Sequence, residues 1–257
     1  MLVLDSRLES FARGCLVRRQ GPPDVHQAYM YAFEFIGIKP SDQVIAACSK
    51  ISNKMNSFAE HKKDEPGYHN RHHTIDTLMA LASLLRIALN HQMVDTHEAV
   101  NAIIAMNGHD LFHDGTVNTP THNLEEISAA AVRSILVEGQ FSEKDIEIIC
   151  DLILKTDPAF QFSMRAKCLD AAVDAKLKLP LLIGDSDLFA SILPEIGDRL
   201  SQDLANEWRK SNINILPTPD TIEGRRNFLA AIKWLSPPSI ELGMDNVIKQ
   251  QLAVGVL

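Results

Sequence analysis

Three histidines fall within five positions in the stretch Tyr68-His69-Asn70-Arg71-His72-His73. A second concentration follows at His109-Asp110-Leu111-Phe112-His113, and much later an acidic pair, Asp185 and Asp187, sits inside an apolar run. Imidazole nitrogen and carboxylate oxygen are the ligands that Zn²⁺, Mn²⁺ or Fe²⁺ accept. His69 and His73 are four positions apart, as are His109 and His113, and residues so spaced share one face of a helix. Asp110 lies about 100° round a helix from His109, so it can reach sideways to a second ion. A lone histidine on an amphipathic helix is usually a surface or hydrogen-bonded group. His26, His61, His91 and His97 belong to that class, and His72, pointing away from the His69/His73 face, is expected at the surface. The two spaced pairs, the His-Asp dyad and the late aspartate together are the parts of a buried metal site.

These residues also carry a resemblance. Tyr68-His69-Asn70-Arg71-His72-His73 resembles the YHNxxH motif of the cyclic-nucleotide phosphodiesterase catalytic domain. His109-Asp110-Leu111-Phe112-His113-Asp114-Gly115 resembles its HDxxHPG motif, with Asp114 at the Pro position. Ser186-Asp187-Leu188 resembles its late ADL aspartate, a role for which Asp185 competes. The wider pattern H…HD…D is that of the HD superfamily of metal-dependent phosphohydrolases, and the likeness covers roughly residues 68 to 235. It implies two divalent ions (Zn, Mn, Fe or Mg), the first held by His73, His109, Asp110 and Asp187, with Asp110 bridging to the second. It also implies a water activated between the ions, His69 as the acid that protonates the leaving oxygen, and His113 hydrogen-bonding near the second ion. Glu125 lies where the family has a supporting glutamate behind its metal site; a salt-bridged surface helix is an equal reading there.

The departures bear on substrate. The family clamps its base with a Gln and a Phe near the C-terminal end. Here Ile222-Glu223-Gly224-Arg225-Arg226-Asn227-Phe228 puts Arg226 near the Gln position and keeps Phe228. Arg donates hydrogen bonds but accepts none, whereas Gln does both. Arg225 or Arg226 could instead hold a phosphate, or be solvated. All ten histidines lie at or before His122. This disfavours the HD-type di-iron oxygenases and the cyclic-dinucleotide HD-GYP hydrolases, which take further histidine ligands well after the dyad. The expected activity is hydrolysis of a small phosphorylated substrate, foremost a nucleotide, as cyclic diester or monophosphate. The alternatives are another phosphoester or phosphoanhydride, or an HD module that binds a nucleotide or partner protein without turnover. Intact His69, His73, His109, Asp110 and Asp187 speak against that last reading, since a binding module needs no acid.

Composition is compatible with this. The chain has 257 residues, 46% hydrophobic and 23% charged, with a formal net charge of -8. No run of Lys and Arg exceeds two, so the basic footprint that a nucleic acid polymer needs is missing. A small anion is still accommodated, because a metal brings its own charge. Cys15, Cys48, Cys150 and Cys168 are far apart and form no C-x-x-C, so packed thiols in a reducing, cytoplasmic setting are expected. Met1 to Arg19 lacks the order of a signal peptide, and no apolar run approaches the ~20 residues of a membrane span.

The elements that must position these groups read as helices. Apolar residues recur at helical spacing in 5–19, 24–36, from Ser41 towards Phe58, from Asn70 to Leu89, and from Thr96 to the His-Asp dyad. They recur again in the segments around Ile127 to Ile135, Ile146 to Leu154, Met164 to Val173, Leu200 to Trp208, and 245–252. Pro158 reads as an interruption. Leu181 to Leu193 reads as a buried helix, and Thr218-Pro219 as a helix start. No strand periodicity survives. The expected fold is all-α, a single multi-helix HD/phosphodiesterase-like domain over 1–257.

Overall fold

The computed structural model describes residues 4–61, 65–119, 121–167, 177–232 and 235–254. Among them are thirteen helices and no strand. The helices are α1 (Ser6–Arg18), α2 (Val25–Phe35), α3 (Asp42–His61), α4 (Arg71–Asn90), α5 (Thr96–Gly108), α6 (Asn123–Glu138) and α7 (Glu143–Leu154). They continue as α8 (Pro158–Lys167), α9 (Lys178–Ile192), α10 (Pro194–Lys210), α11 (Ile222–Ala231), α12 (Pro237–Glu241) and α13 (Met244–Val254).

Two helices form the axis of the packing. α4 packs against α2, α5 and α9, and its middle, from Leu78 to Leu85, is almost entirely buried. α9 buries twelve of its fifteen residues, as a helix apolar all round must. One contiguous hydrophobic cluster takes side chains from α1 to α11 and from α13, including Tyr29, Phe33, Leu81, Leu85, Ile104 and Phe189. Burial of such side chains stabilises by roughly 1.5–3 kcal/mol each.

Helix starts are set by caps. Asn70 Oδ1 accepts from the amides of His72 and His73, so α4 begins at Arg71. Asp95 and Glu98 form a reciprocal capping box at α5. Gly108 brings α5 against α6: a Cβ there would meet the Val132 side chain at 2.5 Å.

Several expected boundaries shift. His69 precedes α4, because its neighbour Asn70 is the cap. α5 ends at Gly108, because Phe112 takes a left-handed φ of 71° and turns the chain. Neither four-residue histidine pair therefore lies within one helix, and the shared-face argument does not hold. Pro158 opens α8 rather than interrupting, since Asp157 caps the amides of Ala159 and Phe160. α10 starts earlier, at Pro194, and α11 starts at Ile222 with Thr221 as cap rather than at Thr218-Pro219. The end of the segment expected to reach Val173, and Cys168 within it, lie outside the described residues. No helix among those described is long and apolar enough to cross a membrane.

Candidate metal centre and its proton relay

Four side chains from three segments converge. His73 stands on the first turn of α4, His109 and Asp110 follow the end of α5, and Asp187 projects from α9. His73 Nε2 lies 2.9 Å from Asp187 Oδ1 and 3.4 Å from Asp110 Oδ2. His109 Nε2 lies 3.2 Å from Asp110 Oδ2, 3.6 Å from Asp187 Oδ1 and 3.5 Å from His73 Nε2. Ligands bound at about 2.0–2.2 Å around one cation stand about 3.0–3.4 Å apart, so this spacing fits a first-row divalent ion. His109 Nδ1 donates to the Met106 carbonyl at 2.8 Å, which leaves its Nε2 lone pair facing the cluster. Asp110 Oδ2 is buried and accepts no hydrogen bond.

The charges agree with that arrangement. Burial by itself would raise the Asp110 and Asp187 carboxyls, but His109 with His69 and His113 holds Asp110, and His109 with His73 holds Asp187, well below the usual carboxylate range. Burial would lower His109, yet Asp110 and Asp187 raise it well above an ordinary histidine. Without a cation the cluster must take up protons; a divalent ion would replace them.

A second group adjoins the first. Glu207 of α10 is buried, and burial would raise its carboxyl, but His69 holds it below its ordinary value. Its Oε1 lies 2.5 Å from His69 Nδ1, and its Oε2 accepts from the amides of Tyr68 and His69 at 2.8 and 3.0 Å. An ionised carboxylate only accepts, so His69 Nδ1 is the donor and Nε2 is left for other work. Burial pulls His69 down, but Glu207, together with Asp110 and Asp187, outweighs it and the net shift is upward. His113 stacks on His69 with ring centroids 3.7 Å apart. Its Nδ1 accepts from the Gly115 amide, so in neutral form its proton is on Nε2. Burial and the His69 charge push it down to about 4.

A third trio, His122, Glu125 and Asp157, also brings possible ligand atoms together. Here the carboxylates are already employed. Asp157 Oδ1 accepts from the amides of Ala159 and Phe160, and its Oδ2 from the His122 amide and Asn118 Nδ2. Asn118 also donates to Glu125 at 2.8 Å. This trio ties Asn118 and His122 to α6 and α8, and burial raises the Glu125 carboxyl. Glu125 is buried rather than part of a salt-bridged surface.

The two late aspartates separate clearly. Asp185 is buried, pairs with buried Arg165 at 2.6 Å, and accepts from the Ser236 amide and the Ser239 hydroxyl. It joins α9 to α8 and α12, while Asp187 faces the histidines. Arg225 is spent elsewhere: it donates to the carbonyls of Ser191, Ile192 and Leu193 and to Gln251, closing the end of α9. Arg226 is exposed and Phe228 packs half-buried against the core; neither lines the cleft at His69. His72 is half-buried rather than exposed, with Nδ1 enclosed and unbonded. His26, His61, His91 and His97 are exposed as expected, and Cys15, Cys48 and Cys150 are buried free thiols.

Glu207 escaped the sequence reading. Its signal was an acid on the apolar stripe of α10, at helical spacing from Ile196, Leu200 and Leu204.

Among solved structures, the chain matches LmjPDEB1, a Leishmania phosphodiesterase, in complex with IBMX. The TM-score is 0.57 and the identity 14%, over 99% of this chain and 97% of that one. No family model and no curated protein matches the sequence. The likeness establishes a phosphodiesterase-like all-α fold.

Proposed function

We propose that this chain is a metal-dependent phosphohydrolase acting on a small phosphoester, foremost a nucleotide. The observation that carries the reading is the convergence of His73, His109, Asp110 and Asp187 around an unbonded buried carboxylate oxygen, beside the His69–Glu207 pair. Those four residues would hold the first cation, and Asp110 would be shared with a second. When bound, such cations supply Lewis-acid charge and make water nucleophilic near neutral pH.

The chain's own groups do the rest. Glu207 orients the His69 ring and keeps it protonated. As the bond from phosphorus to the leaving oxygen breaks, His69 gives its Nε2 proton to that oxygen, a task suited to an imidazole held protonated by a carboxylate. His113, kept neutral by burial, provides a hydrogen-bond donor beside it. The fold of the LmjPDEB1 neighbour supports the same reaction class. We also read 1–257 as one domain.

The test compares His69→Ala with Asp110→Ala, by metal analysis and by turnover of nucleotide esters with added Mn²⁺. His69→Ala keeps its metal and loses about 10²–10⁴-fold in kcat; Asp110→Ala loses metal occupancy. Equal metal loss in both sinks the acid assignment. A wild-type protein that holds no transition metal and stays inert with Mn²⁺ sinks the enzyme reading.

A further inference from the structure

The helix that carries His73 also floors a large groove away from the metal ligands. α1 and α2 both pack on α4, and between them lies an open groove of about 1340 Å³. Ile75, Met79, Ser83, Arg86 and Asn90 line its floor, at the three- and four-residue spacing of a single helix face. From Ile75 to Asn90 that face runs about 22 Å at the rise of an α-helix.

Apolar surface is left exposed along this groove. Of the nine large apolar side chains exposed among the described residues, three line it: Val17 of α1 and Met30 and Tyr31 of α2. Exposed apolar side chains scattered singly need no explanation, but a gathered patch marks a contact surface. Tyr31 stacks on Phe35 with ring centroids 5.8 Å apart at 26°, and the Arg86 guanidinium lies over the Phe35 ring at 4.8 Å. Tyrosine and arginine on an apolar base are the side chains that carry most of the binding energy at protein interfaces.

The charges point to the partner. Glu34 precedes Phe35 in the chain and Arg86 covers its ring, so an exposed anion and an exposed cation flank one side chain at the groove. Arg7 and Arg18, which also line the groove, are held by Asp5 and Asp76. A surface that bears both signs side by side complements itself under a two-fold rotation, because such a contact pairs residue i with j and j with i. The dimensions agree. α2 has 11 residues, about 16 Å of helix, and so fits within the length of the floor.

We propose that the groove between α1 and α2 is the interface of a two-fold homodimer. Met30 and Tyr31 of each copy enter the groove of the other, and Glu34 of each copy meets Arg86 of the other. The dimer goes beyond the hydrolase reading and does not depend on it.

Sedimentation of the full chain over a range of concentrations tests this. The wild type should exchange between monomer and dimer. Glu34→Arg and Arg86→Glu each set like charges together twice, so each should weaken the dimer by about 10²-fold. An equimolar mixture of the two variants should recover it, because opposite charges then meet at both contacts. Recovery also shows that both variants are folded. A wild type that stays monomeric up to about 100 µM overturns the proposal, whatever else the groove accepts. A dimer that persists in both variants places the contact on another face and overturns it as well. Variants that stay monomeric when mixed overturn the reciprocal pairing, and open-ended growth beyond a dimer overturns the two-fold.

Discussion

At the scale of single residues, the division of labour among the histidines follows from what each ring nitrogen touches. His109 is fixed by the Met106 carbonyl, so its Nε2 faces inward. His69 is fixed by Glu207, which leaves its own Nε2 for the proposed proton transfer. Glu207 holds His69 above its ordinary value of 6.5 while burial opposes it. The sign of the pH effect follows. An acid with a raised pKa stays protonated to higher pH, and its contribution is lost as pH rises through that value. Glu207→Gln leaves burial unopposed by its nearest carboxylate. The alkaline limb of the kcat–pH profile should therefore move to lower pH, with metal content unchanged. An unmoved limb would show that Glu207 does not set the acid.

At the scale of elements, α9 carries two aspartates with opposite duties. Asp185 neutralises Arg165, both almost wholly buried, and removing one partner of such a pair typically costs about 3–5 kcal/mol. Asp185→Ala should lower denaturant stability by that order. Asp187→Ala should cost less metal-free stability than Asp185→Ala, because Asp187 is the more exposed of the two, and should abolish tight metal binding. The reverse pattern would exchange their roles. Gly184 directly precedes Asp185 and faces α8: a Cβ there would meet the Gln161 side chain at 2.0 Å. Gln161 is held by the Lys155 and Pro180 carbonyls and by Arg165, so it cannot yield cheaply. Gly184→Ala should destabilise by about 1–3 kcal/mol, the cost of overpacking, despite Ala being the better helix former. A gain in melting temperature would show that the α8–α9 contact is looser than this.

At the scale of the whole molecule, the proposed metal ligands come from three segments brought together by the packing of α4, α5 and α9. A cation that binds them binds the folded chain alone, so it should raise stability by mass action, about 2.7 kcal/mol at 100 times its Kd. For a chain of this size that is an increase of about 5–10 °C in melting temperature. Thermal unfolding with and without Mn²⁺ should show that rise in the wild type and not in Asp110→Asn. A single transition throughout would support the reading of one domain; two transitions, with only one moved by Mn²⁺, would speak for separate units.

The helical class, the His-Asp dyad and its partners His69, His73 and Asp187 were legible in the sequence, because apolar spacing reports helices and because ligand types in a spaced set are rare by chance. The reasons for their grouping were not. Asn70 starts α4 only after His69, and Phe112 turns the chain before His113, so neither histidine pair shares a helix face, and His69 and His113 meet by stacking across two loops. The choice between Asp185 and Asp187 required knowing that Arg165 occupies the first. Glu207, far along the chain from His69, became visible only when α10 packed its apolar stripe inward. Periodicity and residue type are local properties of a chain. Which buried charge finds which partner is decided by long-range packing, and only the tertiary structure shows those pairings.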